Sequence, residues 1–290
     1  MAKGRELKGR IKSVENTRKI TRTMEMVATS KMKRAQDRVV AARPYANALR
    51  EVISSLYSPD LADRFPLLRQ PSAKPKRAAV LALTSNRGLA GAFNSNLIKE
   101  ARGLVAKLEG QGTEVELHLV GKKGLGYFRY VGRAVATSRV DLTDRPTAQN
   151  ASELVDALMQ GFIGGQLDAV YVVYAKFNSV LSTPPTTERV LPVTPPERVK
   201  GGSMPDYLLF PSAEAILTEL LPAYVRNAVY RALVETVAGE QAARRTAMKN
   251  ATDNASEMLN ILRRTYNRAR QAQITQEIAE IVGGSAALEG

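Results

Sequence analysis

The chain has 290 residues, 44% of them hydrophobic and 24% charged, enough for one or two domains with a sizeable core. It has no cysteine, which excludes disulfides and thiolate metal sites, and it lacks the run of about 18 apolar residues needed to cross a membrane. Forty-two Lys or Arg against 28 Asp or Glu leave a net charge of +14, so the natural partner is anionic.

The start, MAKGRELKGR, lacks the apolar stretch of a secretory signal, and the expectation is a cytoplasmic chain with no span of its own. From about Lys3 to Tyr57 one helical pattern runs without interruption. Positions 7, 11, 14 and onward to 56 alternate in steps of four and three. Twelve of these fifteen residues are apolar, a sustained heptad seam. Pro44 inside it predicts a kink rather than an end, because the pattern continues beyond. Such a helix would be roughly 80 Å long, more than a compact domain of this size can bury. SPD at 58–60 closes it.

The middle of the chain alternates strands and helices. RAAVLALTS (77–85) reads as a buried strand and 92–109 as a helix. EVELHLVG (114–121) alternates, with Val115, Leu117 and Leu119 on one side. A helix near 147–163 leads to LDAVYVVYAKF (167–177), the strongest strand signal. TTERVLPV (186–193) reads as an edge strand, since proline cannot donate to a ladder. This alternation predicts an open, mostly parallel sheet with right-handed winding.

After a Pro-rich stretch, Ser212 is placed to cap a second long helix, with Glu214 and Glu219 early, where the helix dipole favours acids. Its apolar steps continue to GG at 283–284, a stop signal, over roughly 105 Å. Pro222 and Gly239 are local weak points where bends are expected. Long helices at both ends of the chain predict an antiparallel pair. In 21–46 and 244–279 the seams are dominated by Ala, Thr and Met, so that part should be thin and reliant on a surrounding partner. The expected fold is therefore α/β: a long antiparallel coiled coil of N- and C-terminal helices plus a central Rossmann-like α/β domain. The expected divisions are 1–57 and 212–290 for the coiled coil, 58–76 for a linker and 77–211 for the central domain.

Charge follows the helices. Residues 1–57 hold fourteen Lys or Arg against five Asp or Glu, and 244–270 hold seven against Asp253 and Glu257. Solvated faces, nucleic acid, anionic lipid or an acidic protein surface would each fit these runs.

The catalytic inventory is thin. SNRGLAGAFN (85–94) turns from a strand into a helix where doubly wound folds hold a phosphate. It is neither GxGxxG nor GxxxxGK[ST], and tight strand-to-helix packing explains its glycines as well. GKKGLG (121–126) reads as a turn ahead of a short helix. His118, the one histidine, alternates with Glu114 and Glu116 on the polar side of its strand and is expected at the surface. No nucleophile, metal cluster or carboxylate pair stands out, so the chain is expected not to be an enzyme by itself and to need no cofactor.

Five stretches together resemble the γ subunits of F-type ATP synthases: ENTRKITRTMEMVATSKMKRAQ (15–36), SNRGLAGAFN (85–94), DYLLFPS (206–212), GEQAARRTAMKNATDNA (239–255) and YNRARQAQITQEIAEIVGG (266–284). They fall in order across nearly the whole chain. The resemblance implies a coiled coil standing inside a ring of three α and three β subunits. There γ is the rotating asymmetric shaft and the β subunits carry the ATP chemistry. By the same motifs, Met24 and Lys31 would face acidic loops of β, with Arg244 on the facing helix. Arg270, Gln271 and Thr275 would make a polar catch with β. Tyr207 would lie in the foot that meets the ε subunit and the membrane c-ring, on the cytoplasmic face of a bacterial plasma membrane. Two stretches depart from the family pattern: LAGAF replaces a small Cys-Gly pattern, and Arg245 and Thr246 stand where apolar residues are usual.

Two other classes fit parts of the sequence. A basic coiled-coil nucleic-acid-binding protein would explain the charge, against an aromatic content of 6% and no groove-reading motif. A nucleotide-using enzyme would need the 85–94 turn to hold phosphate.

Overall fold

A computed structural model of the chain describes residues 2–57, 64–69, 74–194 and 212–288. Two long helices bracket it: α1 (Ala2–Leu56) and α5 (Ala213–Leu288). Between them come a 3-10 turn (Pro66–Leu68), β1 (Arg77–Leu83), α2 (Phe93–Glu109), β2 (Glu114–Val120), α3 (Lys122–Tyr130), β3 (Thr137–Arg139), α4 (Ala148–Ile163), β4 (Ala169–Ala175) and β5 (Pro185–Leu191). The chain divides into two compact units, one of Met1–Val27 with Arg245–Gly290 and one of Ala28–Arg244.

The larger unit is built on a five-stranded sheet in the order β3-β2-β1-β4-β5. The first four strands are mutually parallel and β5 is antiparallel to β4. Six of the seven β1 residues are buried because both faces of the sheet are covered. Strand alternation sorts them. Ala79, Leu81 and Leu83 join a core with Val155 and Phe162 of α4 and with Leu217, Leu221 and Val225 of α5. Ala78, Val80 and Ala82 pack with Leu97, Ala101 and Val105 of α2. Ile53 and Leu56 of α1 belong to the first of these cores. Met32, Ala35 and Val39 of α1 cluster with Val234, Ala238 and Ala242 of α5 and with Phe177.

In the smaller unit α1 and α5 run antiparallel. Thr252 Oγ1 donates to Thr21 Oγ1 at 2.8 Å, while Arg10, Ser13 and Val14 share a shallow groove with Asn254, Glu257, Met258, Ile261 and Leu262. Moving toward the start of α1 therefore moves toward the end of α5. The core of this unit is thin: Met248, Ala255 and Leu259 are buried, whereas Ile274, Ile278, Ile281 and Val282 are exposed.

Ser212 caps α5 as expected, its Oγ accepting from Ala215 N at 3.2 Å. Two expectations fail. The helix does not stop at Gly283–Gly284 but continues to Leu288. Each helical glycine costs only about 1 kcal/mol, and the Ser-Ala-Ala-Leu that follows favours helix. His118 is also not at the surface, being 7% exposed. The cause is β3, which the sequence does not announce: it pairs with β2 so that Thr137 lies opposite His118 and covers its side of the sheet.

Candidate functional site

The cationic stretch of α1 that motif comparison singles out meets an acidic loop of the chain itself. After β3, residues 140–147 bring Asp144 to α1, where Lys31 Nζ donates to its Oδ2 at 2.5 Å. Both side chains are about one-third exposed, so water screens the pair and its contribution is small, about 0–1 kcal/mol. Arg38 Nη1 reaches the Asp144 carbonyl at 3.5 Å, and Arg34 Nη2 bonds Ser30 Oγ at 3.2 Å on its own helix. With Arg145 these cations line an open cavity of about 300 Å³.

On α5, Arg244 is 8% exposed and committed within the chain. Its Nη2 donates to Glu240 Oε1 at 2.5 Å, one turn back, and to the Gly88 carbonyl at 3.2 Å. Burial pushes the Glu240 carboxyl above the usual carboxylate range; Arg244 opposes that shift, Asp144 adds to it and Lys31 opposes it. The structure thus brings Lys31 and Arg244 into one electrostatic cluster around Glu240 and Asp144. The Glu240–Arg244 spacing of four is readable in the sequence; the partner Asp144, 113 residues from Lys31, is not.

Met24 is half-buried on α1 in the smaller unit. Arg270, Gln271 and Thr275 are exposed on α5, where Thr275 Oγ1 donates to the Gln271 carbonyl at 3.0 Å. Tyr207 lies outside the described residues, as does most of DYLLFPS.

The turn after β1 uses its polar atoms internally. Ser85 N donates to Asn94 Oδ1 at 3.0 Å and Ser85 Oγ to the Arg87 carbonyl at 2.6 Å. Asn86 bridges two neighbouring segments, accepting from Lys122 N at 3.0 Å and donating to the Leu142 carbonyl at 2.9 Å. Leu89 and Gly91 take φ of 62° and 56°, a tight left-handed turn. Gly88 is not tightly packed; its role is the carbonyl that Arg244 holds. A cavity of about 360 Å³ opens beside this turn at the strand ends. In GKKGLG, Gly121 has φ 94°, and a Cβ there would stand 2.2 Å from the Thr84 carbonyl oxygen, so strand packing accounts for it. Among the described residues no cluster of three His, Asp or Glu can hold a metal, and no helix is long and apolar enough to cross a membrane.

His118 Nδ1 is 2.7 Å from Thr137 Oγ1, while its enclosed Nε2 has no hydrogen-bond partner. Burial lowers its affinity for a proton, and Glu116, 3.7 Å away, opposes this only in part.

A family model described as ATP synthase matches residues 3–288. The chain is 68% identical, over all of both chains, to the ATP synthase gamma chain of Gemmatimonas aurantiaca. It is 44% identical to that of Leptospira biflexa, over 99% of this chain and all of the other. Its fold is similar to a chain in the F1/c-ring part of the Euglena gracilis mitochondrial ATP synthase, with a TM-score of 0.71 at 20% identity over 99% of this chain and 95% of that one. A chain in the central stalk and c-ring of the Tetrahymena thermophila enzyme matches with a TM-score of 0.62 at 24% identity, over 80% of this chain and 99% of the other.

Proposed function

This chain belongs to the ATP synthase family as a gamma chain, and we propose that its surfaces together couple ion-driven rotation to ATP synthesis or hydrolysis at the β subunits. It is the central rotor shaft subunit and not the catalytic one. Its partners are the α and β subunits of the α3β3 ring, the ε subunit and the c-ring. It belongs to a membrane-associated complex, which we assign to the cytoplasmic face of the plasma membrane because its relatives are bacterial. The single observation that carries this reading is the 68% identity to a gamma chain over the full length of both. The alternative, a basic nucleic-acid-binding coiled coil, has no support from these relatives.

The functional division we propose is 1–57 and 212–290 for the shaft, 58–76 for a linker and 77–211 for the central domain. A thin, small-residue helix pair with exposed Ile274, Ile278 and Ile281 supports a shaft end that a surrounding ring covers. Because such a shaft is asymmetric, each orientation favours a different conformation in each of three identical β subunits. Rotation then exchanges their nucleotide affinities, which is coupling through differential contact.

In this reading Met24 and Lys31 meet acidic loops of β. Lys31 is suited to that, since its screened pair with Asp144 is easily exchanged for another carboxylate. Arg244, enclosed by Glu240 and the Gly88 carbonyl, contributes by holding the α5 surface in shape and donates outward only when those bonds open. Arg270, Gln271 and Thr275 form the catch; their exposure supports this. Tyr207 belongs to the foot facing ε and the c-ring.

Co-expression with cognate α and β subunits tests the reading. One copy of this chain per three αβ pairs, with ATP hydrolysis that the chain raises, is the expected result. Failure to assemble, with salt-sensitive nucleic-acid binding instead, would overturn it.

A further inference from the structure

The middle of α5 is joined to the sheet by polar contacts that none of the surfaces above uses. Arg231 Nη2 donates to both carboxylate oxygens of Glu188 on β5, at 2.7 Å each. Tyr174 of β4 donates its hydroxyl to Glu188 Oε2 at 2.9 Å. One turn along α5, Glu235 Oε2 accepts the backbone N–H of Phe177 at 2.9 Å, just past the end of β4. Beside it Thr236 Oγ1 accepts from Ala175 N at 3.4 Å. Arg231 Nε, enclosed and without a hydrogen-bond partner, lies 3.9 Å from Glu235 Oε1. Gly239 completes the seam: a Cβ there would stand 3.1 Å from Ala175 Cβ, so the helix backbone lies directly against the strand end.

Stability does not explain this arrangement. Arg231 and Glu188 keep 25% and 35% of their side chains exposed, so water screens the pair and its net contribution is small, while the nearly enclosed Glu235 costs desolvation. Apolar packing interlocks α5 with the sheet along its buried face, and the polar contacts add bonds of fixed direction at the strand end. A two-point carboxylate contact and two bonds to strand-end backbone fix both the height and the rotation of α5 against the sheet.

We propose that Arg231 and Glu188, backed by Tyr174 and Glu235, form a torque-bearing clamp between the sheet and α5. It holds the helix in angular register when the chain is twisted. This rests on the rotor reading and adds where within the chain the load is carried. These are positioning residues.

The test uses α3β3 complexes containing the full chain. With no native cysteine, Tyr130→Cys at an exposed helix end carries a bead. The rotor is stalled with a non-hydrolysable ATP analogue, and the angular variance of the bead reports torsional compliance. R231M leaves Glu188 unpaired and takes the neighbouring cation from Glu235, so the informative variant is R231M/E188M/E235Q/Y174F, which removes the ionic contacts without orphaning a buried charge or the Tyr174 hydroxyl. The expected result is an angular variance about twofold wider with little change in Tm, and stimulated ATP hydrolysis unchanged; R231K, which keeps one charged donor, falls between. Wild-type variance in the quadruple variant overturns the clamp, whatever its Tm. If the unsubstituted chain assembles but never rotates under ATP, the rotor reading fails and the clamp with it.

Discussion

Arg244 and Glu240 sit one turn apart on α5 with their side chains only 10% exposed, and Arg244 also holds the Gly88 carbonyl across the turn that follows β1. Removing one member leaves the other buried and uncompensated. Arg244→Ala should therefore cost about 3–5 kcal/mol, whereas Glu240→Gln, which keeps an acceptor, should cost clearly less. The Gly88 carbonyl makes the effect local. Hydrogen exchange in the full chain should speed up across residues 84–91 in the arginine variant and stay near wild type across β4. Equal protection of the turn in both proteins would contradict this.

Losing Arg244 also changes the response to pH. Burial already raises the Glu240 carboxyl, so the folded state holds that proton more tightly than the unfolded state. A group of this sign stabilises most below its unfolded pKa, and its contribution is lost as pH rises through the folded value. Without the guanidinium the shift grows. R244A should regain part of its lost Tm on acidification, and E240Q should not.

His118 has the opposite sign. Its folded pKa lies below the ordinary 6.5, so its contribution is complete above that value and is lost as pH falls through the depressed one. The slope reaches at most about 1.4 kcal/mol per pH unit. His118→Asn can keep a polar contact to Thr137 without titrating. On the acid side its melting curve should be flatter than the wild-type one, and parallel curves would remove His118 as the cause.

For Lys31 the expected effects are small and depend on salt. Lys31→Ala should lower ATP hydrolysis of the reconstituted complex slightly, and Lys31→Glu, which repels Asp144 and any acidic loop of β, should lower it more. The gap should narrow between low salt and about 0.5 M, where the Debye length drops to roughly 4 Å. A salt-independent deficit would point to misfolding rather than lost charge contact.

Truncation from about Tyr266 onward removes helix whose side chains, over residues 266–283, are exposed or half-buried. Torque and coupling should weaken, while near-native unfolding of the α/β unit persists. Unchanged ATP-driven torque in the truncated chain would refute the shaft assignment of 266–288.

Much of the fold is readable in the sequence for definite reasons. The Ala79-Leu81-Leu83 and Ala78-Val80-Ala82 alternation sorts the two faces of β1, and the prolines at 184, 185 and 192 mark β5 as an edge. The heptad seams give the terminal helices. What stays hidden depends on partners far along the chain. Thr137–Arg139 is three residues with no apolar pattern, so the strand that buries His118 has no local signal. Glu188 and Arg231 are 43 residues apart, and no spacing rule joins them. Glu240 and Arg244 stand four apart, but nothing in the sequence shows that the turn carrying Gly88 covers them.

The central claim is rotation, and the most direct measurement is to watch it. With α3β3 fixed to a surface and a bead on Tyr130→Cys, ATP should drive turning in one direction, pausing at three angles set by the three β subunits. A complex that forms and hydrolyses ATP while the bead only fluctuates about one angle would contradict the rotor assignment.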